Sequence, residues 1–275
     1  MELLDFKEME LAKILKKKEK EVESILDINK VHFLRCDGKQ FKKFTKGLDF
    51  PFDYAYRKAM ERTMLKLCEN IQCSKIGYTQ SDEITIMFEN PIDEEKNHLM
   101  YGGRVEKICS VVASMTTLYF NNFFKEEMDK KYKELINSKT MDEYEDMQEI
   151  LKEYEKIKKK FYTAVFDCRV FSLEKKDYLL PFIWRFLDCK KNAIQMISRS
   201  VFSHKELNGK SLKEMKDMLL EKGIMVNSFE RKYLNGLITI KEDQTFYEGT
   251  TRECIRKKWV LKDTIKFLEQ KVREL

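Results

Sequence analysis

The segment IGYTQSDEITIMF, residues 76–88, constrains this chain more than any other. Ile76 and Tyr78 before its centre, and Ile84, Ile86 and Phe88 after it, alternate with other residues at the period of a β-hairpin with one buried face. Ser81 and Asp82 sit where the hairpin must turn. Both tolerate tight turns, so local chemistry alone accounts for an acid at that place. A two-stranded hairpin is marginal by itself in water, so the elements around it must cover its apolar face.

Upstream, NKVHFLRCDG runs from polar residues into a short apolar strand that stops at Asp37 and Gly38, a turn signal. Pro51 and Asp53 then open a helix whose Tyr56, Met60, Met64, Leu67 and Ile71 recur on one face. After the hairpin, Pro91 and Asp93 mark a loop. Val105, Ile108, Val112, Met115 and Tyr119 mark a second helix, and FYTAVFDCRVF returns to strand character. Strand, helix, strand, strand, helix, strand is the split βαβ order of an α+β, ferredoxin-like fold. Right-handed crossovers place both helices on one face of an antiparallel sheet and lay the first strand beside the hairpin. Asp37 and Asp82 are then expected at one edge of that sheet, with Glu83 adjoining.

The remaining segments read as additions to this centre. Residues 1–27, with Leu4, Leu11, Leu15, Val22 and Leu26 near helical spacing, are expected as a charged helical appendage. Residues 28–240 hold the central region. Within it, at about 125–160, Lys, Glu and Asp dominate, which predicts an insertion of two long exposed helices around NSKTMDE. NGLITIKED, residues 235–243, alternates like a strand. Residues 241–275 are expected as a helical extension, because Ile255, Trp259, Leu261, Ile265, Leu268 and Val272 form an apolar stripe among basic residues.

Hydrophobic residues make up 43% of the 275, enough to build a large core. Basic residues exceed acidic ones by six, which permits a phosphate-bearing partner without demanding one. The seven cysteines include no CxxC pair and read as reduced thiols, and Glu2, Asp5, Lys7 and Glu8 interrupt any apolar leader. A cytoplasmic location is the expectation. No apolar run is long enough for a membrane span, so no membrane partner is expected. His32, His98 and His204 stand apart from one another and from any cysteine pair, which argues against structural zinc.

Two carboxylates at adjacent strand ends repel unless a cation or proton lies between them. Magnesium suits such a pair, since it takes hard oxygen ligands and is completed by water and substrate phosphates. Two such ions can activate an attacking hydroxyl and neutralise a leaving pyrophosphate.

RCDGKQFKKF followed by QSDE resembles the paired signature of the tRNA(His) guanylyltransferase family. GGRVEKICSVVASM, FDCRVFSL and WRFLDCKKNAIQMISRSVFSHKELNGKS fall in that family's order, so the resemblance spans roughly residues 30 to 240. It implies a polymerase-palm-like domain that adds nucleotides to the 5′ end of tRNA, in the 3′ to 5′ direction, after ATP activates that end. Magnesium (two ions), ATP and GTP, a tRNA partner and a homotetramer come with it. Asp37, Asp82 and Glu83 resemble its catalytic acids, with Asp37, Asp82 and the Gly38 carbonyl on the metal. Lys39, Phe41, Lys42, Lys43, Ser81, Arg104, Lys107, Arg169 and Asn192 resemble positions that handle nucleotide. Without the motifs, Arg104 and Lys107 would read as decoration of a helix turn, and Arg169 as balance for nearby acids.

Two departures are visible. Phe50 stands before Pro51 where many members carry a basic residue. CKKNAIQMIS keeps Asn192 of the Asn-rich element HxNNLYNT found in the guanylyltransferases proper. FSHKELNGKS resembles the like-protein branch, associated with templated repair of truncated tRNA 5′ ends. A guanylyltransferase proper, a nucleotide cyclase and a non-catalytic RNA-binding protein stay open as alternatives at this point.

Overall fold

Strand β1 (Val31–Gly38) is hydrogen-bonded on both sides, to β3 (Glu83–Glu89) and to β4 (Phe166–Leu173), antiparallel in each case. With β2 (Ser74–Gln80), β5 (Leu237–Glu248) and β6 (Arg252–Lys262) the sheet runs β4-β1-β3-β2-β5-β6. The computed structural model describes residues 8–90, 99–139, 144–248 and 252–274.

Ten helices are described: α1 (Glu8–Glu21), α2 (Phe41–Phe44), α3 (Tyr54–Asn70), α4 (Val105–Asn137), α5 (Tyr144–Lys158), α6 (Leu180–Val201), α7 (His204–Leu207), α8 (Leu212–Glu221), α9 (Arg231–Asn235) and α10 (Thr264–Arg273). Asp53 starts α3 as foreseen, its carboxylate accepting from the Tyr56 amide at 2.8 Å, which satisfies a donor the helix cannot.

Alternation along β1 and β3 divides the core between two faces. Leu34, Cys36, Ile84, Ile86 and Phe88 meet Met60, Met64 and Leu67 of α3 and Ile108, Val112 and Phe120 of α4. This is the two-helix face the βαββαβ order requires. Each fully buried large side chain there stabilises the fold by about 1.5–3 kcal/mol. Gly77 lets α3 approach: a Cβ there would lie 2.5 Å from Cys68 Sγ. The opposite face carries Val31, Phe33, Ile76, Tyr78 and Met87 under Phe182 of α6 and Phe267 and Leu268 of α10. Helices therefore layer both sides of the sheet.

The charged insertion is helical, but its inner face is not exposed. α4 continues unbroken, burying Phe124, Met128 and Tyr132, and Ile157 of α5 joins the same core. Tyr132 and Tyr154 stack at 4.8 Å. Sparse apolar residues at helical spacing suffice for a seam when two helices share it.

The segment from Arg252, expected as helix, is strand β6, and only Thr264–Arg273 is helical. A spacing of four, as from Ile255 to Trp259, fits a helix face and also one face of a strand, so that stripe misled. SHKE and SLKE, by contrast, each form a capping box, Ser203 with Glu206 and Ser211 with Glu214, starting α7 and α8. Leu11, Ile14 and Leu15 of α1 are exposed. The expected loop residues Pro91 and Asp93, together with Leu4 and His98, lie outside the described residues.

Candidate active site

β1 ends at Asp37 and Gly38, and the β2–β3 turn holds Ser81, in a left-handed conformation at φ 47°, and Asp82. The Gly38 amide donates to the Asp82 carbonyl at 3.1 Å, which brings both acids to one edge of the sheet. α3 braces the turn from below. Tyr56 Oη donates to the Ser81 carbonyl at 3.1 Å, and buried Arg57 donates to the Thr79 carbonyl at 2.9 Å. Gly38 is needed where it stands: a Cβ would lie 2.2 Å from the Phe41 ring, which folds back across it.

Register adds two more carboxylates. Asp37 faces Glu83 across one ladder and Asp167 across the other. Their surroundings differ. Glu83 is paired with Arg185 of α6 at 2.8 Å and accepts from Gln80 at 2.5 Å. Asp167 lies 3.5 Å from Arg169. Asp37 and Asp82 have no ion pair among the described residues. Burial raises the pKa of Asp37, Asp167 raises it further, and Arg169 and Arg35 pull it back. Burial, then the charge of Asp37, pushes Asp82 up as well. Glu83 is likewise raised by burial, against the opposing pull of Arg185.

These shifts follow from two carboxylates held together at a half-buried edge, a pair whose repulsion a proton or cation would relieve. Beside it, Lys39 is exposed on the loop that leaves β1, and Lys42 and Lys43 are exposed on α2. The left-handed Gln40, φ 57°, turns that loop into the single-turn helix α2.

The nucleotide-handling positions separate in space. Arg169 pairs across β4 and β1 with Arg35 and acts directly on Asp37. Asn192 donates to Asp188 at 3.1 Å, and Asp188 shares Arg185 with Glu83, so Asn192 is tied to the acids through side chains. Phe41 is buried among Phe44, Tyr56, Phe120 and Phe166, so only its main chain can meet a ligand. Arg104 and Lys107 are not brought to the acids within this chain. They open α4 after β3 has run to its far end, where Glu89 pairs with Val31. The helix rises about 13 Å between Lys107 and Thr116, and Thr116 donates to Cys36, the neighbour of Asp37, at 3.3 Å.

Of the aromatics able to stack on a base, Tyr78 is buried and Phe44 packs in the core, while Trp184 is 52% exposed, with Arg185 4.4 Å and Arg35 5.3 Å from its ring. Sequence reasoning missed Asp167, Arg35 and Arg185. Two of these lie inside FDCRVF and WRFLDC, but their convergence depends on strand register and on α6 covering the second face.

A sequence profile of the tRNAHis guanylyltransferase family matches residues 13–174, more than half of the chain. The chain belongs to that family. Among solved structures it resembles a bacterial tRNA(His) guanylyltransferase-like protein in complex with ATP, with 29% identity, TM-score 0.72, and coverage of 96% of this chain and 97% of that one. The same kind of bacterial protein in complex with GTP gives 27% identity, TM-score 0.70 and 96% coverage of each chain. The tRNA(His) guanylyltransferase of Saccharomyces cerevisiae, 15% identical with TM-score 0.59, covers 87% of this chain and 94% of its own and shares the fold. An uncharacterised protein of Acanthamoeba polyphaga mimivirus is 30% identical over 197 residues. That match covers 68% of this chain, and the chain spans 62% of that relative's length. Family membership makes the palm-like reading of the sheet concrete.

Proposed function

We propose that this chain is an RNA 5′-end nucleotidyltransferase of the guanylyltransferase-like type, extending a tRNA in the 3′ to 5′ direction and repairing truncated 5′ ends against a template. The observation that carries the reading is the convergence of Asp37 and Asp82, two half-buried carboxylates without an ion pair among the described residues, beside the exposed Lys39, Lys42 and Lys43.

The residues fit magnesium. Asp37 and Asp82 would hold it, with the Gly38 carbonyl as a further oxygen, and when bound it would supply charge neutralisation for phosphoryl transfer. Arg185 keeps Glu83 occupied, which leaves the other two acids free for the cation. Lys39, Lys42 and Lys43 bind the triphosphate, and Arg169 steadies phosphate next to Asp37. Trp184 offers a face for a base. Phosphoryl transfer asks the protein for alignment and charge stabilisation more than for a nucleophile, and the site supplies both. In the first step the RNA 5′-phosphate displaces pyrophosphate from ATP. In the second, the 3′-hydroxyl of the incoming nucleotide displaces AMP from the activated end. The ATP and GTP complexes of the bacterial relatives support these substrates.

The test incubates 5′-truncated tRNAs with ATP, GTP and magnesium and looks for products lengthened at the 5′ end. Extension that follows the opposing template base is expected. Absence of lengthening across several truncated tRNAs would overturn the reading, and a cyclic nucleotide formed without RNA would replace it with a cyclase.

A further inference from the structure

Beyond the carboxylate edge, the second face of the sheet carries a groove of about 550 Å³ bounded by α6, α8, α9 and α10. Its floor is apolar, with Ile194 and Leu234 among its residues, and its rim carries Lys190, Lys216 and Lys266. None of these three lysines is ion-paired to a carboxylate among the described residues. The groove holds two acids, but Asp263 is already engaged by Arg231 at 2.9 Å and by capping α10, which leaves Glu269 alone against the three lysines.

A second feature points into the same space. Asn235 lines the groove, and its side-chain amide makes no hydrogen bond among the described residues; only its main-chain carbonyl is used, by Tyr78 Oη at 2.9 Å. That amide is free to meet a ligand offering both a donor and an acceptor. Unpaired cations at the rim, an apolar floor and a free amide at depth together match a nucleotide unit, with phosphate, flat base and base edge in that order.

We infer that this groove binds one nucleotide of the RNA strand while that RNA is held for extension at the carboxylates. The inference deepens the nucleotidyltransferase reading and rests on it. The spread of the cations supports a polynucleotide over a free nucleotide: Lys190, Lys216 and Lys266 stand on three different helices around the rim, α6, α8 and α10, an arrangement suited to successive phosphates of a strand.

The test measures direct binding of a fluorescent truncated tRNA to the full chain by anisotropy across a salt series, for wild type and for K216E/K266E. We expect about tenfold weaker binding, and a log–log salt slope shallower by about 1.4, the value for two lost single-strand phosphate contacts. KM for RNA should rise while kcat holds. K216R/K266R should restore affinity, which separates lost contacts from misfolding. N235A should cost roughly three- to tenfold without changing the slope, since the amide is neutral. Unchanged affinity and slope in K216E/K266E would overturn the inference, as would weakened binding of a fluorescent GTP analogue with RNA affinity intact. Because binding is read without turnover, a chain that binds tRNA through this groove but never lengthens it would sink only the catalytic reading.

Discussion

The helical insertion and the carboxylate edge are both crowded with charge, and they use it in opposite ways. Along α4 and α5, Lys125 meets Asp129 at 2.5 Å, Lys158 meets Glu155 at 2.6 Å, and Lys131 bridges Asp49 and Asp53 at 2.7 Å each. At the sheet edge, Glu83 and Asp167 have arginines, while Asp37 and Asp82 repel each other. Paired charge holds an element in place. Charge left unpaired at a half-buried site raises its own pKa and costs stability until something else arrives. The contrast explains why a 36% charged chain concentrates its chemistry in so few residues.

The strongest way to break this contrast is to remove the unpaired acids. Asp82→Ala, and separately Asp37→Ala, should lower kcat by about a thousandfold or more, equivalent to roughly 4 kcal/mol of lost transition-state stabilisation. RNA affinity should change little. Turnover within tenfold of wild type would show that the unpaired acids are not the working ones. The next largest effect lies in the arginine that sets Glu83 apart. Its pair is largely buried, so Arg185→Met should destabilise the fold by about 3 kcal/mol through the stranded carboxylate, whereas a double change with Glu83→Gln should recover most of that loss. Denaturant unfolding of the three variants gives the coupling directly.

How far this arrangement could be read beforehand depended on the range of each signal. The βαββαβ order was legible because alternation in ITIMF and the repeat Met60, Met64, Leu67 are local, and the crossover rule carries local elements into a topology. The meeting of Asp37 with the hairpin turn followed from that topology alone. Asp167 did not, because it requires the β1–β4 register, in which Asp37 pairs with Asp167 and Arg35 with Arg169. Phe41 sat in a motif rich in lysine, and nothing in sequence told its ring to turn inward over Gly38. The strand at Arg252 and the buried seam of the insertion share one cause: each is settled by pairing with the element before it, β5 for one and α4 for the other, and the spacing of apolar residues alone does not show that pairing.

The smaller predictions sharpen the contrast through pH. Burial and Asp37 raise the pKa of Asp82 above its ordinary 3.8, so the folded state holds a proton more tightly than the unfolded chain does. Stability therefore falls as pH rises from the ordinary value through the raised one, and the penalty is complete above it. Asp82→Asn should raise the melting temperature of the metal-free protein at pH 7 to 8. The gain should shrink as pH is lowered through the raised value, where wild type takes up its own proton. Magnesium should narrow the gap from the other side by stabilising wild type alone. A gain independent of pH would mean that packing, not charge, is responsible.

The smallest effect belongs to the insertion's outer surface. Lys130 and Glu134, 3.9 Å apart and each 69% exposed, are screened by water, so Lys130→Ala should shift unfolding by no more than about 0.5 kcal/mol and leave turnover unchanged. A larger loss there would place the outer face of α4 against something other than solvent, and the division between charges that hold and charges that wait would then fail on the insertion.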